Sequence, residues 1–366
     1  MPEAALTFIF EDSRSARCSA RPGETALAAA RRAGIALEAD CMEGACGTCK
    51  ARACSGAFDL GDPLEDALSN SERASGLTLL CQTVPQGDCV FELPYDSTRA
   101  MKRGPTPVRP ATLVAIAEVA RDVVRIEVLA EGPHVDYLAG QYANLQVEDG
   151  RIVRSYSMAT RSVQGAPWVF YIRLLAGGAM SDWLRGATPG ARVSIEGPFG
   201  HFYLRDPQRP IVMVAGGTGL APMLAMLDHL AVTQGQAQNG AQDQTQTAPQ
   251  SPANALSGRR GQQVLLLVGA GSDDELFGAT ELKRLQSHGA ALDWRHAVIH
   301  PGPTWQEASG HVTTLLREDD LDGASDYYLC GPPAMIEAAR DWLSAHAVPS
   351  ARIHAERFIA SGVGAR

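Results

Sequence analysis

The chain of 366 residues lacks any apolar run of membrane-spanning length, lacks a basic excess and has only eight cysteines. Each shortage excludes something. A hydrocarbon core needs about 20 consecutive apolar residues to cross it, so no membrane partner is expected. The opening stretch MPEAALTFIF has no basic segment followed by an apolar one, so a cytoplasmic location is expected. A formal charge of −9 speaks against nucleic acid as a main partner. In a reducing compartment, clustered cysteines point to metal or redox chemistry rather than disulfides.

At this length two or three domains are expected. The charge is uneven: residues 1–100 carry nine basic and fifteen acidic side chains, 101–208 twelve and ten, and 209–366 eleven and sixteen. STRAMKRGPTPVRP, Ser97 to Pro110, reads as a linker because prolines and basic residues crowd it. A second break lies at RDPQRP, Arg205 to Pro210. The expected division is 1–98, a linker at 99–110, then 111–206 and 207–366. Within the last part, about 235–262 is rich in glutamine and alanine and poor in large apolar groups, so a disordered surface insert is expected there.

Three patterns follow one another. ALTFIF and RSARCSA alternate like strands, and RPGET leads into an alanine-rich helix ending near Gly34, which suits a small α+β unit. TLVAIAEVA, VVRIEVLA, QYANLQV, VFYIRLL and RVSIEG predict a small antiparallel barrel. IVMVAG, QVLLLVG and DYYLCG alternate with helical stretches and predict an α/β parallel sheet of nucleotide-binding type.

CMEGACGTCK places Cys41, Cys46 and Cys49 at C-x4-C-x2-C, and Cys81 follows in LTLLCQT. This is the plant-type ligand spacing of a [2Fe–2S] cluster. Gly44, Ala45, Gly47 and Thr48 leave room for backbone to wrap the cluster and donate N–H groups. Zinc would call for a second close cysteine pair, which is missing.

RSYSMA, from Arg154, offers an arginine for a phosphate, Tyr156 for a flat ring, and Ser157 for a ring nitrogen. AGGAMSDWL puts Gly178, Met180 and Ser181 at the start of a short helix, where backbone N–H groups can hold a pyrophosphate. Together they imply FAD rather than FMN. Gly216, Gly217, Thr218 and Gly219 lie between a strand and a helix, as a nucleotide pyrophosphate requires. Gly269 in LVGAG, and Cys330, Gly331 and Pro332 in YLCGPP, mark two further strand ends where such a ligand would lie. Asp273, Asp274 and Glu275 follow the second strand and would repel a 2′-phosphate, so NADH is expected.

In this order the motifs resemble the ferredoxin–NADP reductase-like electron-transfer components of bacterial oxygenases. CMEGACGTCKARACSGAFDLGDPLEDALSNSE, LLCQTVPQGDCV, FYIRLLAGGAMSDWLRG and DYYLCGPPAMIEA are similar to reductases of the benzoate, toluate and anthranilate 1,2-dioxygenase group. Met42 and Glu43 stand where that group carries arginine and aspartate. The resemblance implies a β-grasp ferredoxin domain, an FAD barrel and an NAD domain. It also implies cluster ligation by Cys41, Cys46, Cys49 and Cys81. Flavin contacts are implied from Arg154, Tyr156 and Ser157, with Gly178, Met180 and Ser181 at the pyrophosphate. A hydride path would be lined by Ser157, Cys330 and Glu356, with Phe358 covering the ring. The implied acceptor is a Rieske-type terminal oxygenase. NADH gives two electrons at once and a [2Fe–2S] cluster takes one, so a flavin between them divides the pair. Two alternatives stay open on the residues: a reductase serving a phenol or methane monooxygenase, and a redox-sensing cluster protein.

Overall fold

The structure is a computed structural model that describes residues 3–39, 44, 47–61, 63, 67–98, 108–200, 202–205, 209–243, 263–287, 291–321, 325–349 and 352–358; for Ser71 and 234–243 it describes the backbone alone. The chain divides into two compact units, Met1–Pro107 and Val108–Arg366.

In the first unit β1 (Ala4–Ile9) and β2 (Ser15–Ala20) form an antiparallel hairpin, followed by α1 (Ala26–Arg32). Then come β3 (Lys50–Ser55), β4 (Phe58–Leu60), α2 (Asn70–Ala74), β5 (Leu77–Leu79), β6 (Thr83–Pro85) and β7 (Cys89–Glu92). The main sheet runs β2-β1-β7-β3-β5, with β1 and β7 parallel, and β4 and β6 make a small separate ladder. This is a β-grasp sheet with the two-turn helix α1 packed on it. Along β1 every second side chain points inward, which buries Leu6 and Phe8 completely. Phe8 stacks on Phe91, its register partner in β7, at 5.9 Å between ring centroids. α1 begins at Thr25, whose hydroxyl accepts from the Ala28 N–H, and its buried face of Ala26, Leu27, Ala29 and Ala30 brings the helix close to the sheet. A capping box starts α2: Ser69 Oγ accepts from the Glu72 N–H, and Glu72 accepts from the Ser69 N–H at 2.9 Å.

The second unit opens with six antiparallel strands: β8 (Val108–Ala120), β9 (Val123–Ala130), β10 (Tyr142–Val147), β11 (Ile152–Ser157), β12 (Trp168–Arg173) and β13 (Arg192–Phe199). Their order is β11-β10-β13-β8-β9-β12. The Ala159 N–H donates to the Val169 carbonyl, joining the segment after β11 to β12 and bringing the two ends of the sheet together as a barrel. α3 (Ala179–Gly186) follows β12.

A six-stranded parallel sheet completes the unit: β14 (Ile211–Gly216), β15 (Val264–Ser272), β16 (Leu292–His300), β17 (Ala308–Ser309), β18 (Asp326–Gly331) and β19 (Ile353–Arg357), ordered β17-β16-β15-β14-β18-β19. Helices α4 (Leu220–Asp243), α5 (Ala279–Ser287) and α6 (Pro333–Ala345) provide the crossovers. Strand order reverses between β14 and β18, so the crevice at their carboxyl ends is the ligand position of an open α/β sheet. One apolar cluster joins barrel to sheet, with Val123, Tyr171 and Phe202 packed among Leu220, Met223 and Met226. Tyr171 stacks on Phe277 at 4.7 Å, and its hydroxyl donates to Glu281.

Two expectations shift. Val108, Arg109 and Pro110, assigned to the linker, are strand residues of β8 paired with β13. Proline's fixed φ suits extended backbone, and here it pairs near the start of the strand. The stretch from Gly235, expected as disordered insert, continues α4 to Asp243. Its alanines and glutamines are good helix formers that extend a helix already nucleated by a buried first half. Residues 244–262 lie outside the described residues, as does the linker stretch 99–107. Sequence patterning also missed β16 and β19, whose charged and histidine side chains hide the apolar run.

Candidate functional site

Three groups of residues carry chemistry. In the first unit β3 and β5 pair antiparallel, Lys50 opposite Leu79, so the residues just beyond this pairing, Cys49 and Cys81, converge. Both are buried, at 3% and 5% exposure. The Cys81 N–H donates to Cys49 Sγ at 3.5 Å, and the Leu80 N–H donates to the Cys49 carbonyl at 3.0 Å. An N–H aimed at a cysteine sulfur is the outer-sphere contact that stabilises a metal-bound thiolate. Gly47 has φ +76, a left-handed turn that glycine adopts without strain. A Cβ on Gly44 would lie 2.7 Å from Gln82 Cγ, so Gln82, next to Cys81, closes on the ligand loop. The soft donors and the N–H···S contact fit a cluster. Cys41 and Cys46 lie outside the described residues, and no third ligand joins Cys49 and Cys81 among those described.

In the second unit β11 delivers Arg154, Tyr156 and Ser157 to one end of the barrel. Arg154 donates to the Val153 carbonyl at 2.7 Å, and burial pushes the Tyr156 phenol well above its ordinary value, so it stays neutral. α3 has Gly178 at its N-cap, which leaves its first N–H groups without a side-chain cap, the condition for anion binding at a helix start. Met180 and Ser181 are buried, and Ser181 Oγ accepts from the Leu175 N–H at 2.8 Å. Ser181 therefore shapes the turn before α3.

The loop after β14 is a short 3₁₀ turn, Gly217–Gly219, leading into α4. The sequence pattern suggested that its glycines serve a pyrophosphate. The structure divides that role. A Cβ on Gly219 would overlap the Cys330 carbonyl oxygen, and one on Gly216 would lie 2.7 Å from Met335 Sδ. A Cβ on Gly269 would lie 2.7 Å from Val312. These three are glycine because protein atoms fill the space. Gly217, by contrast, sits at φ +53 with nothing within 4 Å of an added Cβ and leaves room for a ligand. Thr218 is partly exposed on the same turn. Gly331 and Pro332 end β18 and start α6.

The barrel and the parallel sheet meet at the hydride-path candidates. Ser157 Oγ donates to Glu356 Oε2 at 3.1 Å across 199 residues of sequence. Cys330 and Glu356 are register partners on β18 and β19. Cys330 is fully buried, and burial, then the nearby Glu356 charge, raise its pKa well above the usual thiol value. It is a neutral packing group there. The Phe358 N–H donates to the Gly331 carbonyl at 2.9 Å, and its ring packs partly buried against the shared core. Sequence reasoning missed Gly200: a Cβ there would lie 3.0 Å from the Tyr142 ring and 3.7 Å from Glu356 Oε1, so its backbone floors the junction. The glycine-proline punctuation of EGPFG was the available signal.

At the end of β15 the acidic turn opens on a cleft of about 570 Å³ lined by Arg121, Gly271, Ser272, Asp273, Asp274, Glu275, His300, Pro301 and Gly302. Asp273 accepts from the Gly302 N–H at 2.8 Å. Asp274 and Glu275, expected to face a ribose, pair with arginines of the barrel: Arg121–Asp274 at 2.9 Å, Arg121–Glu275 at 2.8 Å and Arg173–Glu275 at 3.1 Å. Burial alone would raise the Glu275 carboxyl, but Arg121, Arg173 and the Gly271 N–H together hold it below the usual range.

Comparison with known proteins agrees with this layout. Residues 9–86 match the 2Fe-2S iron-sulfur cluster binding domain, 110–203 the oxidoreductase FAD-binding domain, and 213–341 the oxidoreductase NAD-binding domain. The chain is 34% identical over 359 residues to the 2-halobenzoate 1,2-dioxygenase electron transfer component of Burkholderia cepacia, with 97% of each chain covered. It is 33% identical to the toluate 1,2-dioxygenase electron transfer component of Pseudomonas putida, with 96% and 97% covered. The chain belongs to the family of dioxygenase electron transfer components. It is an oxidoreductase with 2Fe-2S, FAD and NAD domains. Its fold also matches the crystal structure of an Amycolatopsis cytochrome P450 reductase, with a TM-score of 0.70, 29% identity, and 98% of this chain and 100% of the other covered.

Proposed function

We propose that this chain takes electrons in pairs from NADH and delivers them singly to the Rieske-type terminal oxygenase of a benzoate-type 1,2-dioxygenase. The carrying observation is the Ser157–Glu356 contact beside Cys330, which sets the flavin strand of the barrel against the nucleotide crevice. When bound, FAD supplies the two-electron to one-electron conversion and the cluster a one-electron outlet. Cys41, Cys46, Cys49 and Cys81 would hold the cluster. Arg154, Tyr156, Gly178, Met180 and Ser181 would hold FAD, and Phe358 would cover its ring. Gly216, Gly217, Thr218, Gly219, Gly269, Gly331 and Pro332 would shape the nicotinamide crevice. Glu356 accepts a hydrogen bond from the Ser157 hydroxyl and so fixes its direction, while neutral Cys330 adds no charge beside it. Asp273, with one oxygen without a partner among the described residues, would accept from a ribose hydroxyl and favour NADH. The division 1–98, 111–206 and 207–366 would correspond to outlet, converter and inlet.

The likeness to a P450 reductase supports a second reading, in which the electron acceptor is another oxygenase. The two separate when the protein is mixed with NADH and either a benzoate-type terminal oxygenase or a P450. Substrate-dependent NADH consumption is expected with the first. The rate should fall as salt rises toward about 0.5 M, because the acidic first hundred residues would steer a basic docking patch. Stimulation by the P450 alone would favour the second reading.

A further inference from the structure

The tip of the β8–β9 hairpin belongs to the flavin barrel, yet it lines the nucleotide cleft. Asp122 takes the left-handed conformation at φ 57, which aspartate tolerates in a tight turn, and this aims Arg121 at the acidic turn after β15. The Arg121 N–H donates to the Asp274 carbonyl at 2.8 Å, and the Leu174 N–H donates to the Asp122 carbonyl at 2.7 Å, so the tip is fixed at both ends. The guanidinium then meets Ser272 Oγ at 2.6 Å, Asp274 Oδ2 at 2.9 Å and Glu275 Oε1 at 2.8 Å. Ser272 in turn donates to Asp274 Oδ1 at 2.6 Å. Half of the Arg121 side chain remains open to the cleft, at 52% exposure.

We propose that Arg121 is a masked 2′-phosphate ligand, and that Asp274, by engaging its guanidinium, helps set the preference for NADH over NADPH. An arginine fork is the protein group best shaped for phosphate oxygens. Here two arginines, Arg121 and Arg173, face three carboxylates, Asp273, Asp274 and Glu275, so one negative charge is left over at the cleft. A phosphorylated ribose entering it meets that charge and finds the arginine already hydrogen-bonded. Without the Asp274 carboxylate the tally becomes neutral and the outer edge of Arg121, on Nη1, is released. Glu275 and Ser272 still hold Nη2, so the arginine stays aimed at the site. The preference is therefore written across two domains, in a barrel hairpin as well as in the acidic turn.

This inference rests on the nucleotide reading of the cleft, and the test separates the two. Binding of 5′-AMP and of 2′,5′-ADP is measured by calorimetry on the flavin-loaded full chain, and kcat/KM is measured for NADH and NADPH. The native protein should favour 5′-AMP. In Asp274→Asn, and independently in Asp274→Ser, the ratio of 2′,5′-ADP to 5′-AMP affinity should rise about ten- to hundredfold, the scale of a charge-assisted hydrogen bond, and the NADPH/NADH ratio should rise with it. In the double variant Asp274→Asn with Arg121→Gln the gain should vanish. A gain that survives loss of Arg121 overturns the proposal, as does no gain in either single variant that still binds 5′-AMP. Failure of the native protein to bind either nucleotide overturns the underlying reading of the cleft as well.

Discussion

Cys81→Ser is expected to cut NADH-driven reduction of cytochrome c at least about a hundredfold while ferricyanide reduction stays within about twofold, since outer-shell changes at metal sites already cost 10–100-fold. The reason lies in the first unit alone. Cys81 sits just beyond β5, and its buried position and N–H···S contact with Cys49 are fixed by the β3–β5 pairing rather than by a ligand. Serine replaces a soft thiolate with a hard, poorly ionised oxygen at nearly the same volume, so the sheet should stand. Ferricyanide can collect electrons from a flavin, whereas cytochrome c reports the one-electron outlet. The variant should retain its yellow colour and lose iron and sulfide. If cytochrome c reduction survived unchanged in Cys81→Ser, Cys81 would not be a cluster ligand and the fourth donor would have to be sought elsewhere.

The second large effect concerns the junction between barrel and parallel sheet. Ser157→Ala and Glu356→Ala should each slow NADH-dependent flavin reduction about a hundredfold, the loss expected when a reacting pair is misplaced by about an ångström. Glu356→Gln should lose less than Glu356→Ala, because an amide oxygen still accepts from Ser157 Oγ, now at 3.1 Å from the carboxylate. Cys330→Ala should lose least, since its buried thiol is neutral and acts by packing. Stopped-flow absorbance under anaerobic conditions reads the step directly. The ordering Ala below Gln at Glu356 is the informative part. A purely structural role for Glu356 would move thermal stability in all variants and leave the reduction rates of the folded fraction alike.

Much of this architecture is legible in the sequence itself. The cysteine spacing, the RSYS strand end and the glycine turn after IVMVAG each reflect a local requirement, so a short window of sequence carries them. Long-range pairing was harder. Nothing in the window around Arg121 says that it will meet Ser272, Asp274 and Glu275, because that meeting depends on how a barrel hairpin packs against a parallel sheet. The same holds for Ser157 and Glu356. The acidic turn is plain in the sequence as SDDE, yet two of its three carboxylates pair with arginines of the barrel, which the sequence does not announce. The glycine turn is plain in the sequence, but Gly216 and Gly219 make room for Met335 and the Cys330 carbonyl, a need that no short window reveals. Strand β19 is hard to read because its five residues, IHAER, alternate only through Ile353 and Ala355, too short a pattern to stand out. Its neighbour β18 fixes it through backbone pairing from Tyr327 to Gly331.

The most direct test of the account is an anaerobic titration of the purified protein with NADH, followed by absorbance and electron paramagnetic resonance. A chain that joins a two-electron flavin to a one-electron cluster should be fully reduced by about 1.5 equivalents of NADH, with bleaching of the flavin bands and a signal from the reduced cluster. Saturation at about one equivalent, with flavin bleached and no cluster signal from a protein carrying iron and sulfide, would contradict it.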